Sequence, residues 1–208
     1  MDYLNDFEIP ENDFWSPPFE KKAFEDYPGT IFCLDENLTI CYVNKGWTRF
    51  ATENGGAESV LKNFSLGSNF ADAIKGELKE PMVEKFKLCL TEKKPWIHDY
   101  ECSSETQYRL MRQFVYPAYQ NTRLIVVNVL SIEAPIGEVK SQPWNPDQEL
   151  YLMNSGFFTQ CTNCRCTQRN DNSNQWDWVP QYVHQMPPNT SHSICPVCFE
   201  LFWKNPGI

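Results

Sequence analysis

Four cysteines fall into two Cys-x2-Cys pairs, Cys161/Cys164 in "QCTNCRCTQ" and Cys195/Cys198 in "SICPVCFE". Two intervening residues let a tight backbone knuckle aim both sulfurs at one ion. Four such thiolates are the donor set of a tetrahedral structural zinc site, with Zn–S bonds of about 2.3 Å. The 30 residues between the pairs exceed the commonest zinc-ribbon gap, so they must hold structure of their own. "NQWDWVPQYVHQ" can supply a short hairpin and a helical turn there. The second pair runs straight into "FELFWK", a helix start whose backbone N–H groups and dipole would favour thiolates at Cys195 and Cys198. Knuckle, hairpin and a knuckle opening a helix make a treble-clef-like plan. So small a core needs its metal to fold. Cys166 lies two residues past the first knuckle and is a candidate substitute ligand or redox-active thiol. His192 is a candidate ligand as well, but its expected role is a hydrogen bond to a ligand sulfur or a carbonyl. His184 reads as a surface residue.

The remaining totals place this centre in a reducing compartment. Of nine cysteines, five cluster between 161 and 198, the usage of metal binding rather than of a disulfide framework. Cys33, Cys41, Cys89 and Cys102 sit singly in apolar patterns and read as buried, inert thiols. Net charge is −9, of which residues 1–26 alone contribute −6. Residues 151–208 sum to zero. Neither part has the basic excess that phosphate neutralisation needs, which argues against nucleic-acid binding. No apolar run reaches the length of a membrane span. "MDYLNDFEIP" is acidic where a secretory signal is basic and then apolar, so a cytoplasmic protein is expected. The acidic arm, 1–26, is also rich in aromatics, which predicts an intramolecular or dimeric dock.

Regular elements begin at Thr30. "TIFCLD" and "TICYVN" read as two strands around the turn "ENL". "KGWTRFATENGG" reads as a helix stopped at Gly55-Gly56. "GSNFADAI" reads as a second short helix capped by Ser68 or Asn69. "EPMVEKFKLCLTEKK" is a longer helix with Met82, Phe86, Cys89 and Leu90 on one stripe. "WIHDYEC", "QYRLMRQFVYPAY" and "RLIVVNVLSI" follow as three strands in meander. Trp47 and Trp96 read as core. The plan is α+β: one antiparallel sheet covered by helices on one face, and then the small zinc-stabilised subdomain. Residues 135–152, with three prolines, read as a linker ending in a short helix, which leaves 153–208 for the four-cysteine part.

Over residues 27–134 the words and their order resemble the PAS sensory domain. "GTIFCLDENLTICYVNKGWTRFATENGG" follows an "LD…I.YVN..W..FA..NGG" pattern of bacterial PAS sensors. "GSNFADAI" follows in place, and "YECSSETQYRLMRQFVYPAY" resembles their "YRCDSP..RRW..M.V.P" strand pair. This last word departs at "SSETQYR", which lacks the usual proline and tryptophan. The tail is similar to a cysteine-rich segment, "C..C…W…..Y……SHGICP.C", that closes some bacterial PAS and response-regulator proteins. The matching positions are Cys161, Cys164, Trp176 or Trp178, Tyr182, Ser191, His192, Ile194, Cys195, Pro196 and Cys198, and Ser193 replaces the glycine. "NCRCTQ" also echoes the "NCRFLQ" word of light-sensing flavin domains. There the reactive cysteine precedes most of the sheet, whereas here the sheet is complete before Cys161, so order excludes that reading.

The PAS resemblance implies a domain that binds a small ligand or a protein partner and shifts population on binding, often as a homodimer. The residues themselves show no Gly-rich phosphate loop and no nucleophile with an evident base. A centre closed by four protein ligands leaves no position for a catalytic water. The expectation is a signalling module without catalytic output, its zinc tail an interaction surface. The alternative is a haem- or thiol-based redox or gas sensor, with His98 as the axial candidate or the Cys161–Cys166 cluster as the reactive group. Pocket residues stay unassigned, because a one-residue register change turns every strand side chain over.

Overall fold

The computed structural model describes residues 21–54, 64–140 and 143–204. Chain contacts group them into two compact units. The first takes residues up to Ile74, Met82–Ile97 and Gln113–Val129, and the second takes Lys75–Pro81, His98–Arg112 and residues from Leu130 onward.

A short helix α1 (Lys21–Asp26) precedes strands β1 (Thr30–Asp35) and β2 (Ile40–Val43). Asn44 ends β2 and starts α2 (Lys45–Glu53) as its N-cap. Its Oδ1 accepts from the N–H groups of Ile31 and Trp47, and its Nδ2 donates to the carbonyls of Phe24 and Gly29. One buried amide thus serves strand, helix cap and α1 together, which is the economy expected of a polar side chain in a core. Gly46 is required beside it, because a Cβ there would lie 1.9 Å from the Gly29 carbonyl oxygen. A 3₁₀ turn over Phe70–Asp72 follows, then a second over Gly76–Leu78, and α3 (Lys79–Glu92). β3 (Trp96–Glu101), β4 (Gln107–Ala118) and β5 (Arg123–Pro135) complete a five-stranded sheet of order β2-β1-β5-β4-β3.

Alternation along the strands sorts the two faces. Phe32, Leu34, Leu124, Val126 and Val115 pack with Phe86 and Cys89 of α3, and Trp47, Phe70 and Trp96 close around them. On the opposite face Ile31, Cys33, Tyr42 and Ile125 receive Phe24 of α1. The α+β, PAS-like sheet with helices on one face is present, and α1 adds a short helix to the other. The described part of the N-terminal arm therefore docks on the sheet through Phe24. The rest of that arm and the Gly55-Gly56 cap lie outside the described residues.

Two local readings gain detail. The short helix expected in "GSNFADAI" is a single 3₁₀ turn, and of the two candidate caps Asn69 takes the role: its side chain accepts from the Ala71 N–H. The chain there continues into backbone pairing of Thr39 with Asn69 and of Ile40 with Ser68 and Gly67, which uses up the groups that an α-helix would need. Secondly, residues 135–152 carry α4 (Ile136–Val139) and α5 (Gln148–Tyr151), and Tyr151 is fully buried. Its hydroxyl donates to Asp177, which also pairs with Arg169.

The tail builds its own sheet, β8-β7-β6-β9, from β6 (Phe158–Cys161), β7 (Thr167–Gln168), β8 (Trp176–Asp177) and β9 (Thr190–Ser193). β6 and β9 pair in parallel, Phe158 opposite Thr190 through Cys161 opposite Ser193. Between them α6 (Pro180–His184) makes the crossover, and Tyr151, Phe158, Val179 and Tyr182 form the core beneath it. A short helix α7 (Pro196–Phe199) follows β9, and a π-helical turn continues it over Glu200–Lys204.

Candidate metal centre

Parallel pairing of β6 with β9 sets Cys161 opposite Ser193, two residues before Cys195. Each knuckle then folds over that pair. After the first, Cys161 accepts Arg165 N–H at its carbonyl and donates its own N–H to the Cys166 carbonyl, with Arg165 in the left-handed region at φ 63°. At the second, Cys195 caps α7, and its sulfur accepts from the Cys198 N–H at 3.4 Å. The four sulfurs of Cys161, Cys164, Cys195 and Cys198 all lie within 4.8 Å of one another, and all four residues are buried.

This arrangement fits a tetrahedral thiophilic cation. A Zn–S bond of about 2.3 Å implies a sulfur–sulfur edge of about 3.8 Å in a regular tetrahedron. Cys164 Sγ and Cys195 Sγ stand 3.7 Å apart. That is far too long for a disulfide, and each of the four is a free cysteine. Amide donors converge on the sulfurs as they would on thiolates: Cys195 N–H on Cys161 Sγ and the Asn163 side chain on Cys198 Sγ, both at 3.4 Å. The four sulfurs hold one another's protons apart: the Cys161 and Cys195 thiols are lowered and the Cys164 and Cys198 thiols raised, as hydrogen bonding within a proton-sharing cluster requires. A metal held here would meet four protein sulfurs and no open position.

Residues distant in sequence support the cage. Asn163, inside the first knuckle, uses both ends of its amide. Its Nδ2 donates to Cys198, and its Oδ1 accepts the Glu101 N–H of β3 at 2.9 Å. The Glu101 carboxylate is buried and pairs with Lys140 at 2.9 Å, and it accepts from Ser103. Burial pushes the Glu101 carboxyl up while Lys140 pulls it back. The Lys140 ammonium also lies over the rings of Tyr108 and Trp178. Asn163, Glu101 and Lys140 were not singled out in the sequence. The only local signal was an amide residue within a Cys-x2-Cys turn. A cavity of about 540 Å³ opens beside the cluster, lined by Lys140, Tyr108, Trp176, Val197 and Leu201 among others.

The other candidates fall elsewhere. Cys166 is half-buried against the cluster but is not one of the four converging residues. His192 sits in β9 opposite Gln160, also outside the four, and burial lowers its pKa. His184 is exposed and reaches Glu105 at 2.9 Å. His98 is buried, 5.0 Å from the Trp203 ring and stacked near Tyr100, and burial lowers its pKa to about 4. Of the four single cysteines, Cys33 and Cys89 are buried as expected, whereas Cys41 and Cys102 are half-buried. Burial raises Cys33 and Cys102 and pushes Cys41 and Cys89 up to about 11.

No family model matches the chain, and no curated protein matches it. Solved structures do match. The phage VqmA–DPO complex is 14% identical over 52% of this chain and 50% of that one, with a TM-score of 0.40. The PAS domain of Bordetella pertussis BvgS is 15% identical over 53% of this chain and 82% of that one, with a TM-score of 0.42. The PAS domain of an HTR-like protein from Haloarcula marismortui is 18% identical over 52% and 91%, with a TM-score of 0.35. The chain spans half the length of the VqmA chain it matches. Likeness at this level decides neither ligand nor partner. Among the described residues no helix is long and apolar enough to cross a membrane.

Proposed function

We propose that this chain is a cytoplasmic sensory or signalling module of bacterial PAS type, without catalytic output. Its sheet domain binds a small ligand or a protein partner, and its tail holds one structural Zn²⁺ through Cys161, Cys164, Cys195 and Cys198. The observation that carries the reading is the closed cage of four buried, mutually adjacent sulfurs. Zinc bound there would stabilise the tail and stiffen the surface around it, and four protein ligands exclude the open position that a catalytic ion keeps. Asn163 would orient Cys198 and shield its thiolate, while the Glu101–Lys140 pair seats that amide. β3, β4 and β5 contribute residues to both compact units, so a change in their pairing reaches Glu101 along continuous backbone. Binding that favours one strand arrangement would thereby bias the tail, a population shift in which partner and ligand act through differential affinity.

Elemental analysis of untagged protein with a full absorption spectrum tests the reading. One zinc per chain and no visible band is the expected result. Absence of metal from folded protein overturns the centre, and reproducible turnover abolished by pocket substitutions overturns the non-catalytic assignment. A second reading, a thiol-based redox sensor, is favoured by one observation: Cys166 packs half-exposed against the cluster. Peroxide-driven, reversible zinc loss that Cys166→Ser prevents is its signature. A Soret band lost in His98→Ala would instead support the haem alternative.

A further inference from the structure

The cavity of about 540 Å³ lies within the second compact unit, and the sulfur cage forms part of its wall. Its volume is in the range of small-molecule sites. Trp176 and Phe202 line it and also pack against the four converging cysteines. Val197 and Leu201 line it as well, yet each is 65% exposed. Apolar side chains left in water around a concavity mark a surface built to be covered.

The charges on the wall say what would cover it. Apart from the cysteines, Glu101 and Lys140 are its charged side chains. They neutralise each other, the ammonium meeting both carboxylate oxygens at 2.9 and 3.0 Å. Lys140 is further held over the rings of Tyr108 and Trp178, at 5.8 and 5.6 Å. The wall therefore offers an anion no uncompensated cation. Zinc held by four thiolates, by contrast, carries two net negative charges. Aromatic rings beside such a centre attract a cation twice over, through their quadrupoles and through the charge behind them. The net charge of −9 on the whole chain acts in the same sense.

We infer that this cavity binds a small organic cation, an alkyl or aryl ammonium, with its charge beside the cage and the rings of Trp176 and Phe202 and its apolar body against Val197 and Leu201. This rests on the proposed zinc centre and adds a ligand class to it.

The test uses the full, zinc-loaded chain, with metal content measured on the same sample. Benzyltrimethylammonium is titrated against its uncharged isostere neopentylbenzene and followed by tryptophan fluorescence. The cation should saturate and bind about tenfold tighter than the isostere. In the cadmium-substituted chain it should also move the cadmium resonance, which reports contact beside the thiolates. Glu101→Gln keeps an acceptor for Lys140 but removes the carboxylate charge, so the cation should weaken about tenfold while the isostere binds as before. Trp176→Leu should weaken the cation about fivefold. Equal affinity for cation and isostere, or wild-type affinity in either variant that keeps its metal, overturns the inference and leaves the zinc centre standing. A zinc-loaded chain that does not bind the cation does the same. Tighter binding of acetylarginine methylamide overturns it too, because the site then reads a protein side chain. Folded chain without zinc removes the centre and the inference together.

Discussion

Asn163 joins the metal cage to a sheet strand, and replacing it separates two effects. In Asn163→Leu the Glu101 N–H loses its acceptor inside the protein, and Cys198 loses a donor. The first loss leaves a buried amide unpaired and costs about 1–3 kcal/mol of stability, with or without metal. For a chain of this size that is a fall in Tm of about 2–4 °C per kcal/mol. The second appears only in metal binding. Removing an outer partner of a ligand typically weakens a site about 10- to 100-fold. Asn163→Asp distinguishes them, because Oδ1 still accepts from Glu101 while the donor becomes a carboxylate oxygen facing sulfur. Both variants should lose zinc affinity in competition with a chromogenic chelator at neutral pH, the Asp variant more. The metal-independent melting loss should fall mainly on the Leu variant. Zinc affinity within about twofold of wild type in both would refute the coupling of Asn163 to the cage.

Three further outcomes are expected. The His98 pKa of about 4 lies below its unfolded value near 6.5, so stability is full above pH 6.5 and is lost as pH falls towards 4, by about 3 kcal/mol in total; denaturant melts across that window should show a loss that His98→Phe abolishes. Lys140→Met leaves the Glu101 carboxylate buried without its cation and should destabilise by about 3–5 kcal/mol at pH 8. Because Glu101 is then raised further, the deficit should shrink at pH 5, where the folded carboxyl takes up a proton. Gly76→Ala should cost about 3 kcal/mol or more in chemical denaturation, since φ is +66° and a Cβ would meet the His192 carbonyl oxygen at 2.2 Å.

The sequence alone determined what depends on neighbours in the chain. β-rich runs between turn residues placed β1 to β5, and the stripe of Met82, Phe86 and Cys89 placed α3. The Cys-x2-Cys spacing marked the four sulfurs because two residues suffice to form a knuckle. Even so, the helix type of "GSNFADAI" stayed open, since the pairing of Thr39 with Asn69 that holds it to one 3₁₀ turn comes from elsewhere in the chain. The register that sets Thr30 beside Asn128, 98 residues away, was likewise open. Asn163 and Glu101 are 62 residues apart, and neither carries a local sign of the other. Only the tertiary structure decided these contacts. A side chain's chemistry is written locally, but its partner is chosen by which strand lies alongside, at what register and on which face. That choice is made by burying apolar surface across the whole chain, and no window of sequence contains it.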